Sequence, residues 1–205
     1  MIKIRNMLIK RLSITIACTL VSLGLFSQVE EPVPGREGKE KEKMSFGQRL
    51  VFGGDIGLSF GTITYINLAP IVGYRLTSRL TAGLGPIYIY ERYKNYNLET
   101  STYGGKVLAS FTILRSSDIN LNMGMSNIVF HTENEVINVE PLFFNPNTYE
   151  YFFGNRVWID NLLIGGGLTQ QISGRFGISV FILWDVTNNK YSPYSNPIFK
   201  FGFSF

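Results

Sequence analysis

The chain has one histidine, His131, and one cysteine, Cys18. An imidazole acts as a general base only with a hydroxyl or thiol to activate and a carboxylate to orient it, and Ser126 and Glu133 are the candidates near it in sequence. A lone histidine at a strand end is more commonly an interfacial residue, so no catalytic residue is assigned and the expectation is a protein that is not an enzyme. Cys18 lies in a segment with the look of a targeting peptide, which leaves neither a thiol nucleophile nor a His/Cys metal set, and no metal or cofactor is expected. Glu133, Glu135, Glu140 and Glu150 match no EF-hand spacing. Gly165-Gly166-Gly167 sits inside a strand pattern and reads as close packing or curvature, not as a phosphate cradle.

Six further ionisable residues have a different kind of promise. Asp55, Arg75, Glu91, Lys106, Asp185 and Lys200 each fall on the polar phase of a segment that alternates with period two. If that phase lines the inside of a small barrel, three acids and three bases share a space too narrow for unpaired charge, and mutual ion pairing is predicted. A structural plug and a gated polar pathway are the two uses such a network could have, and the narrow bore favours the plug. A third group, Phe143, Phe144, Tyr149, Tyr151, Phe152 and Phe153, lies in a stretch read as a long loop, 132–155. Exposed aromatic clusters on loops are buried against something, either a partner or a bilayer interface.

The elements that would position these residues follow from the alternation. Residues 1–27 carry Lys3, Arg5, Lys10 and Arg11, then an apolar run from Leu12 to Phe26 that is shorter than the ~20 residues of a spanning helix, and read as a cleaved signal peptide. Loss of its four bases takes the formal net charge from +4 to zero, against 15 acidic residues. The basic balance therefore belongs to targeting, and nucleic-acid binding is excluded as a partner class. Residues 28–48, with Pro32, Pro34 and the charge run 36–43, read as a solvated tether. From 49 to 205 the pattern predicts an all-β domain, an eight-stranded antiparallel up-and-down transmembrane barrel. Pro70 should interrupt a ladder. A polar loop is expected over 93–101 and a tight turn at 115–118. A fifth strand should begin at Ile119, alternating Ile119, Leu121, Met123 and Met125, and run toward Phe130. Strand six, 156–171, places Trp158, Leu162, Ile164 and Leu168 outward, with Asp160 awkward near one end. Each strand comes near the ~9–11 residues needed to cross a bilayer. Tight turns are expected after strands two, four and six, with longer loops after three, five and seven.

Three features place lipid, not water, on the apolar phase. The polar phase is mostly Gly, Ser and Asn, too sparsely charged for a solvated surface of that size. Aromatics gather at the two ends of the apolar phase: Phe60, Tyr90, Tyr103, Trp158, Trp184 and Phe199 at one, and Phe52, Tyr74, Phe111, Phe176 and Phe205 at the other. The last strand sets Phe199, Phe201, Phe203 and Phe205 on one face. Together the N-terminal segment, the alternating strands and this aromatic terminus resemble the small outer-membrane β-barrel proteins of Gram-negative bacteria, of the OmpA-barrel and OmpX type. The Ser27-Gln28 junction is similar to those of Bacteroidota secreted proteins. The resemblance implies an outer-membrane location, membrane lipid as surroundings, and recognition of Phe199, Phe201, Phe203 and Phe205 by the barrel-assembly machinery. It implies no peptidoglycan-binding role, because no such domain follows the barrel. The expected function is a structural or interaction role in the envelope, exercised through external loops and above all 132–155, with another envelope protein as partner. A narrow solute conduit and a lipid-modifying enzyme using His131 are the other readings.

Overall fold

The computed structural model describes residues 45–59, 62–115 and 126–205. The predicted signal peptide, and all of the predicted tether except its last residues, lie outside the described residues. The end of the tether is a single helical turn, α1 (Phe46–Arg49), capped reciprocally by Ser45 and Gln48. Arg175 donates to the carbonyls of Gly47, Gln48 and Leu50, fastening this turn to the barrel.

The strands are β1 (Leu50–Ser59), β2 (Ile63–Arg75), β3 (Leu80–Tyr93), β4 (Leu98–Leu114), β5 (Ser126–Val139), β6 (Leu142–Asn145), β7 (Glu150–Phe153), β8 (Val157–Ser173), β9 (Phe176–Asp185) and β10 (Ile198–Ser204). Eight of them close into one antiparallel barrel in the order β1-β10-β9-β8-β5-β4-β3-β2, and β6 and β7 form a separate hairpin. Closure joins the ends of the chain's β region, with Asp55 opposite Gly202, Gly54 opposite Phe203 and Gly53 opposite Ser204. Phe52 and Phe205 extend this seam by exchanging backbone hydrogen bonds.

The expected inward and outward phases hold in the described strands except the fifth, where the alternation from Ile119 to Met125 predicts Ser126 on the inward phase while the structure sets Ser126, Ile128 and Phe130 outward and Val129 and His131 inward. Phe52, Leu58, Leu84, Val107, Trp158, Leu168, Trp184, Phe199 and Phe201 stand exposed on the outside. Ile89, Ile137, Leu163 and Leu183 are fully buried inside. Strand six of the sequence reading is β8, with Trp158 and Leu168 exposed, Leu162 and Ile164 half-buried, and Ile159, Asn161 and Leu163 buried. Asp160 faces outward near the strand's start, where Asn134 donates to its carboxylate at 2.8 Å. Pro70 and Pro86 stand across from each other where the β2/β3 ladder lapses between Leu68↔Tyr88 and Val72↔Leu84, and the register resumes unchanged. The two missing N–H groups thus fall in one gap, as proline requires. Tyr103 packs edge-on against Trp158, and Phe205 lies against both Phe176 and Phe203, so the two aromatic ends of the outer face each contain ring pairs.

Three expectations on boundaries are corrected. The fifth strand is Ser126–Val139, so residues 132–139 are barrel wall and not loop. The described connection between β5 and β8 starts at Glu140 and contains the β6/β7 hairpin. The alternating segment from Ile119 to Met125, and all but the first residue of the expected turn at 115–118, lie outside the described residues. The polar loop 93–101 shrinks to Lys94–Asn97, a 3-10 turn followed by Asn97 in the left-handed region at φ 49°, because β3 and β4 pair as far as Tyr93↔Leu98. Lengths of the barrel strands run from 7 residues in β10 to 17 in β4 and β8, not uniformly near the bilayer minimum.

Candidate functional site: a charged floor between a plug and a cup

Strand β5 shows how the lumen is layered. Its inward residues read, from the hairpin-turn end to the loop end, Asn127, Val129, His131, Glu133, Glu135, Ile137 and Val139. The loop-end layer is apolar: Ala69, Ile87, Ile89, Ile137, Val139 and Ile159 pack together with Tyr65, Val157 and Tyr191. A second cluster, Val129, Leu163, Phe181, Leu183 and Ile198, runs along one wall with Tyr194 against it. Tyr191 and Tyr194 come from the β9/β10 loop, which therefore folds inward as part of the plug. Burial, then the nearby carboxylate of Glu135, push the Tyr194 hydroxyl well above its ordinary range.

Beneath the apolar layer lies a charged one. Lys200 Nζ donates to Glu133 Oε2 at 2.6 Å and to Glu135 Oε1 at 2.7 Å. Lys106 donates to Asp55 and, at 3.3 Å, to the same Glu133 oxygen. The other oxygen of Glu133 meets His131 Nε2 at 2.8 Å, and His131 Nδ1 meets Ser110 Oγ at 2.7 Å. The imidazole stacks on Phe181 with centroids 4.2 Å apart and planes 19° apart. Glu133 is thus the hub, bonded to two lysines and the histidine, and all five charged residues are buried. Gly202 makes room for one of them, since a Cβ there would lie 2.9 Å from Asp55 Oδ1.

Of the six residues assigned to the lumen network, the structure brings together Asp55, Lys106 and Lys200. Arg75 is inward in phase but sits exposed at the turn end. Glu91 lies far along β3 toward the loop end, and Asp185 caps the β9/β10 loop, accepting from Thr187 N at 3.0 Å and Ser192 Oγ at 2.7 Å. The completing acids, Glu133 and Glu135, were placed in a loop by sequence reasoning. Alternation through Val129, His131, Glu133, Glu135, Ile137 and Val139 was the signal that could have found them. His131 is likewise not interfacial but inside. Its serine is Ser110, paired with it across strands β4 and β5, and not Ser126, which opens β5 on the outward phase.

Ser110, His131 and Glu133 form a hydroxyl–imidazole–carboxylate chain. Held between Lys106 and Lys200, Glu133 is an acceptor, so His131 Nε2–H donates to it, and in the neutral ring Nδ1 would accept from Ser110. The chain orients the ring and satisfies two buried groups and the half-buried Ser110 hydroxyl. Among the described residues no cluster of His, Cys, Asp or Glu is arranged to hold a metal ion. No protein-family model matches the chain, and no curated protein is similar to it.

On the turn-end side of the charged floor the lumen opens into a cup of about 560 Å³, lined from Asp55, His131 and Glu133 out to Arg75, Ser78, Arg79, Arg115 and Gln171. The interior is therefore filled on one side of the charged layer and hollow on the other.

At the loop end, the aromatic residues singled out in sequence belong to the β6/β7 hairpin. Phe143 packs on Phe152 and Tyr191, and Phe144 on Tyr149 and Tyr151. Tyr96 and Tyr93 from the β3/β4 turn meet Tyr151 and Phe153. Glu140 at its base is paired with Arg156 at 3.0 Å and accepts from Thr100. The hairpin is thus anchored by rings from two other connections while Tyr149, Phe152 and Phe144 remain exposed.

Proposed function

We propose that this chain is an integral outer-membrane protein whose barrel is closed to solute and whose β6/β7 hairpin gives it a structural or interaction role at the cell surface. One observation carries the membrane reading: the outside of the closed barrel presents large side chains such as Leu84 at 62% exposed, Phe201 at 62% and Leu58 at 59%. Among the described strand residues, charge reaches that outer face only near the loop end, at Arg92, Glu99 and Asp160. A water-facing barrel would put that band inside and charge outside. In the orientation the architecture favours, the turn end and Phe205 face the periplasm and the hairpin faces out. Phe199, Phe201, Phe203 and Phe205 on the closing strand support recognition by the barrel-assembly machinery. Alkaline washing of envelopes tests the membrane reading. The protein should stay with the outer-membrane pellet until detergent is added, and its recovery as a detergent-free monomer from periplasmic extract would end the proposal.

The filled layer speaks against a conduit. Ile137, Leu163 and Leu183 have no exposed surface, and the charged floor lies directly beneath. The purified protein in a planar bilayer should therefore give no steady current, and a stable single-channel conductance would replace the plug with the conduit reading. Deleting residues 141–153 checks the hairpin. It shares no ladder with the barrel, so the barrel should still close and resist unfolding. A truncated protein that assembles but loses a co-purifying envelope partner supports the interaction role, whereas failure to assemble assigns those rings to the barrel's own interface.

A further inference from the structure

We propose that the seam between β1 and β10 is a latched split in the barrel wall, its loop-end half held unzipped by the ion-pair chain Asp55, Lys106, Glu133, Lys200. The inference concerns how the barrel closes and stands whether or not the membrane reading does.

The register shows where the pairing stops. Gly53↔Ser204, Gly54↔Phe203 and Asp55↔Gly202 are paired, and the same register continued would set Ile56 opposite Phe201, Gly57 opposite Lys200 and Leu58 opposite Phe199. Those pairs are not made, although both strands run on: residues 56–58 stay paired to β2 and residues 199–201 to β9. The proline gap between β2 and β3 is different in kind, because there the register resumes. Phe52 and Phe205 exchange N–H···O bonds, so by the alternation of an antiparallel ladder the N–H groups of Gly54, Ile56 and Leu58, and of Phe203, Phe201 and Phe199, point at the seam. Past Gly54 and Phe203 they meet no ladder partner.

Two facing strand edges should zip, above all in hydrocarbon, where nothing else satisfies their backbone groups. No proline stands at residues 56–58 or 199–201 to prevent it. What opposes zipping is charge. Asp55, the last paired residue of β1, is bonded to Lys106 on β4. Lys200, the first inward residue of β10 beyond the last pair, is bonded on β5 to Glu133 at 2.6 Å and Glu135 at 2.7 Å. Lys106 completes the chain to Glu133 at 3.3 Å. Strands β4 and β5 stand across the barrel from β1 and β10, so each seam strand is drawn to the opposite wall at the level where the pairing ends. Asp55 and Lys200 are diagonal neighbours across the seam, a spacing that long side chains can span, yet their ion pairs among the described residues go to the far wall and not to each other. Tyr194 backs the split from within, packed on the cluster that contains Ile198, with Lys200 Nζ 5.7 Å from its ring centroid.

Cysteines bridge only when their Cα atoms lie within about 7 Å, so a disulfide reads the width of the seam. The full chain carrying Cys18→Ser is given Leu58→Cys with Phe199→Cys across the seam, or Leu58→Cys with Ile66→Cys across the paired β1/β2 ladder as control, and is oxidised mildly in detergent micelles. The control should bridge nearly completely and the seam pair hardly at all. Lys106→Met, which leaves Lys200 as the ammonium within reach of Asp55, should zip the seam and raise its yield to the level of the control. Asp55→Asn, which releases β1 from the chain while Glu133 keeps both lysines, should do likewise. In the chain without substitutions, the amides of Ile56, Leu58, Phe199 and Phe201 should exchange about tenfold faster or more than those of Gly57 and Lys200, which point into intact ladders. The proposal is overturned if the seam pair bridges as readily as the control with Asp55 and Lys106 in place, or if those four amides are as protected as Gly57 and Lys200. It is equally overturned if Lys106→Met or Asp55→Asn leaves the seam yield unchanged in a barrel whose control bridge forms.

Discussion

Lys200→Met is expected to destabilise the barrel by about 3–5 kcal/mol, and adding Glu135→Leu to it is expected to restore most of that loss. The single change leaves Glu133 and Glu135, both buried, without the ammonium that each contacts within 2.7 Å. Glu135 then has no cation in contact and Glu133 keeps only Lys106 and His131, which is the costly case for buried carboxylates, because desolvation has been suffered and much of the attraction that offset it is gone. The double replacement removes one charge of each sign. Glu133 keeps Lys106 at 3.3 Å and His131 at 2.8 Å, so the remaining layer has the same net charge as before. Methionine and leucine also extend the apolar cluster that includes Ile198 and Leu183. Equilibrium unfolding in phospholipid vesicles reads both variants through Trp158 and Trp184, the chain's two tryptophans, which stand on the outer face. If the double variant is as unstable as the single one, ion pairing is not what holds this layer and Lys200 acts through packing alone.

That layer was only half legible in the sequence, for a physical reason. Asp55, Lys106 and Lys200 are isolated charges in otherwise apolar or small-residue alternation, so their inward phase could be read directly. Glu133 and Glu135 sit in His131-Thr132-Glu133-Asn134-Glu135, where both phases are polar and no apolar residue marks the outside. Thr132 and Asn134 face outward, and Asn134 is satisfied by Asp160 on the neighbouring strand. Sequence patterning carries no such cross-strand information, and a run of polar residues reads as loop until the partner strand is known. The same blindness set the boundaries of the β3/β4 turn, because Thr100 and Ser101 look like loop but continue the ladder to β3.

The phases, by contrast, were readable almost everywhere. The reason is that an eight-stranded barrel has two faces with opposite demands, and a slip of one residue would invert every side chain. What the alternation could not reveal is the axial division of the interior. Ile87 and Ile89 occupy the same phase as Thr81, and only the closed structure shows that the isoleucines fall at one level, as plug, while the threonine falls at another, as cup. The vertical order of a lumen depends on how neighbouring strands are staggered, which depends in turn on the shear of the barrel.

The glycine run in β8 was read as close packing, and its individual members are expected to differ sharply on substitution. Gly167→Ala should cost about 2–4 kcal/mol, while Gly166→Ala should cost less than about 1 kcal/mol. Gly167 faces inward directly opposite Phe181, and a Cβ there would run into the Val180 carbonyl and come within 2.6 Å of the Phe181 ring. The carbonyl is backbone in a paired ladder, so relief requires β8 and β9 to separate locally, at the expense of ladder bonds worth about 1 kcal/mol each. The ring is also the one stacked on His131, so its displacement propagates to the charged floor. Gly166 faces outward, where the nearest atom to an added Cβ is the Val129 carbonyl at 3.1 Å, a contact eased by a shift of a few tenths of an ångström. Both glycines have the same flexibility in the unfolded chain, and the two alanine variants gain the same entropy there, so their difference isolates the steric term. Unfolding midpoints of the two variants measure it, and the imidazole resonances of His131 should move in Gly167→Ala alone. Equal midpoints, or an unmoved imidazole in the Gly167 variant, would mean that the seat under Phe181 is roomier than its geometry indicates and that the floor of the cup is not coupled to the β8/β9 wall.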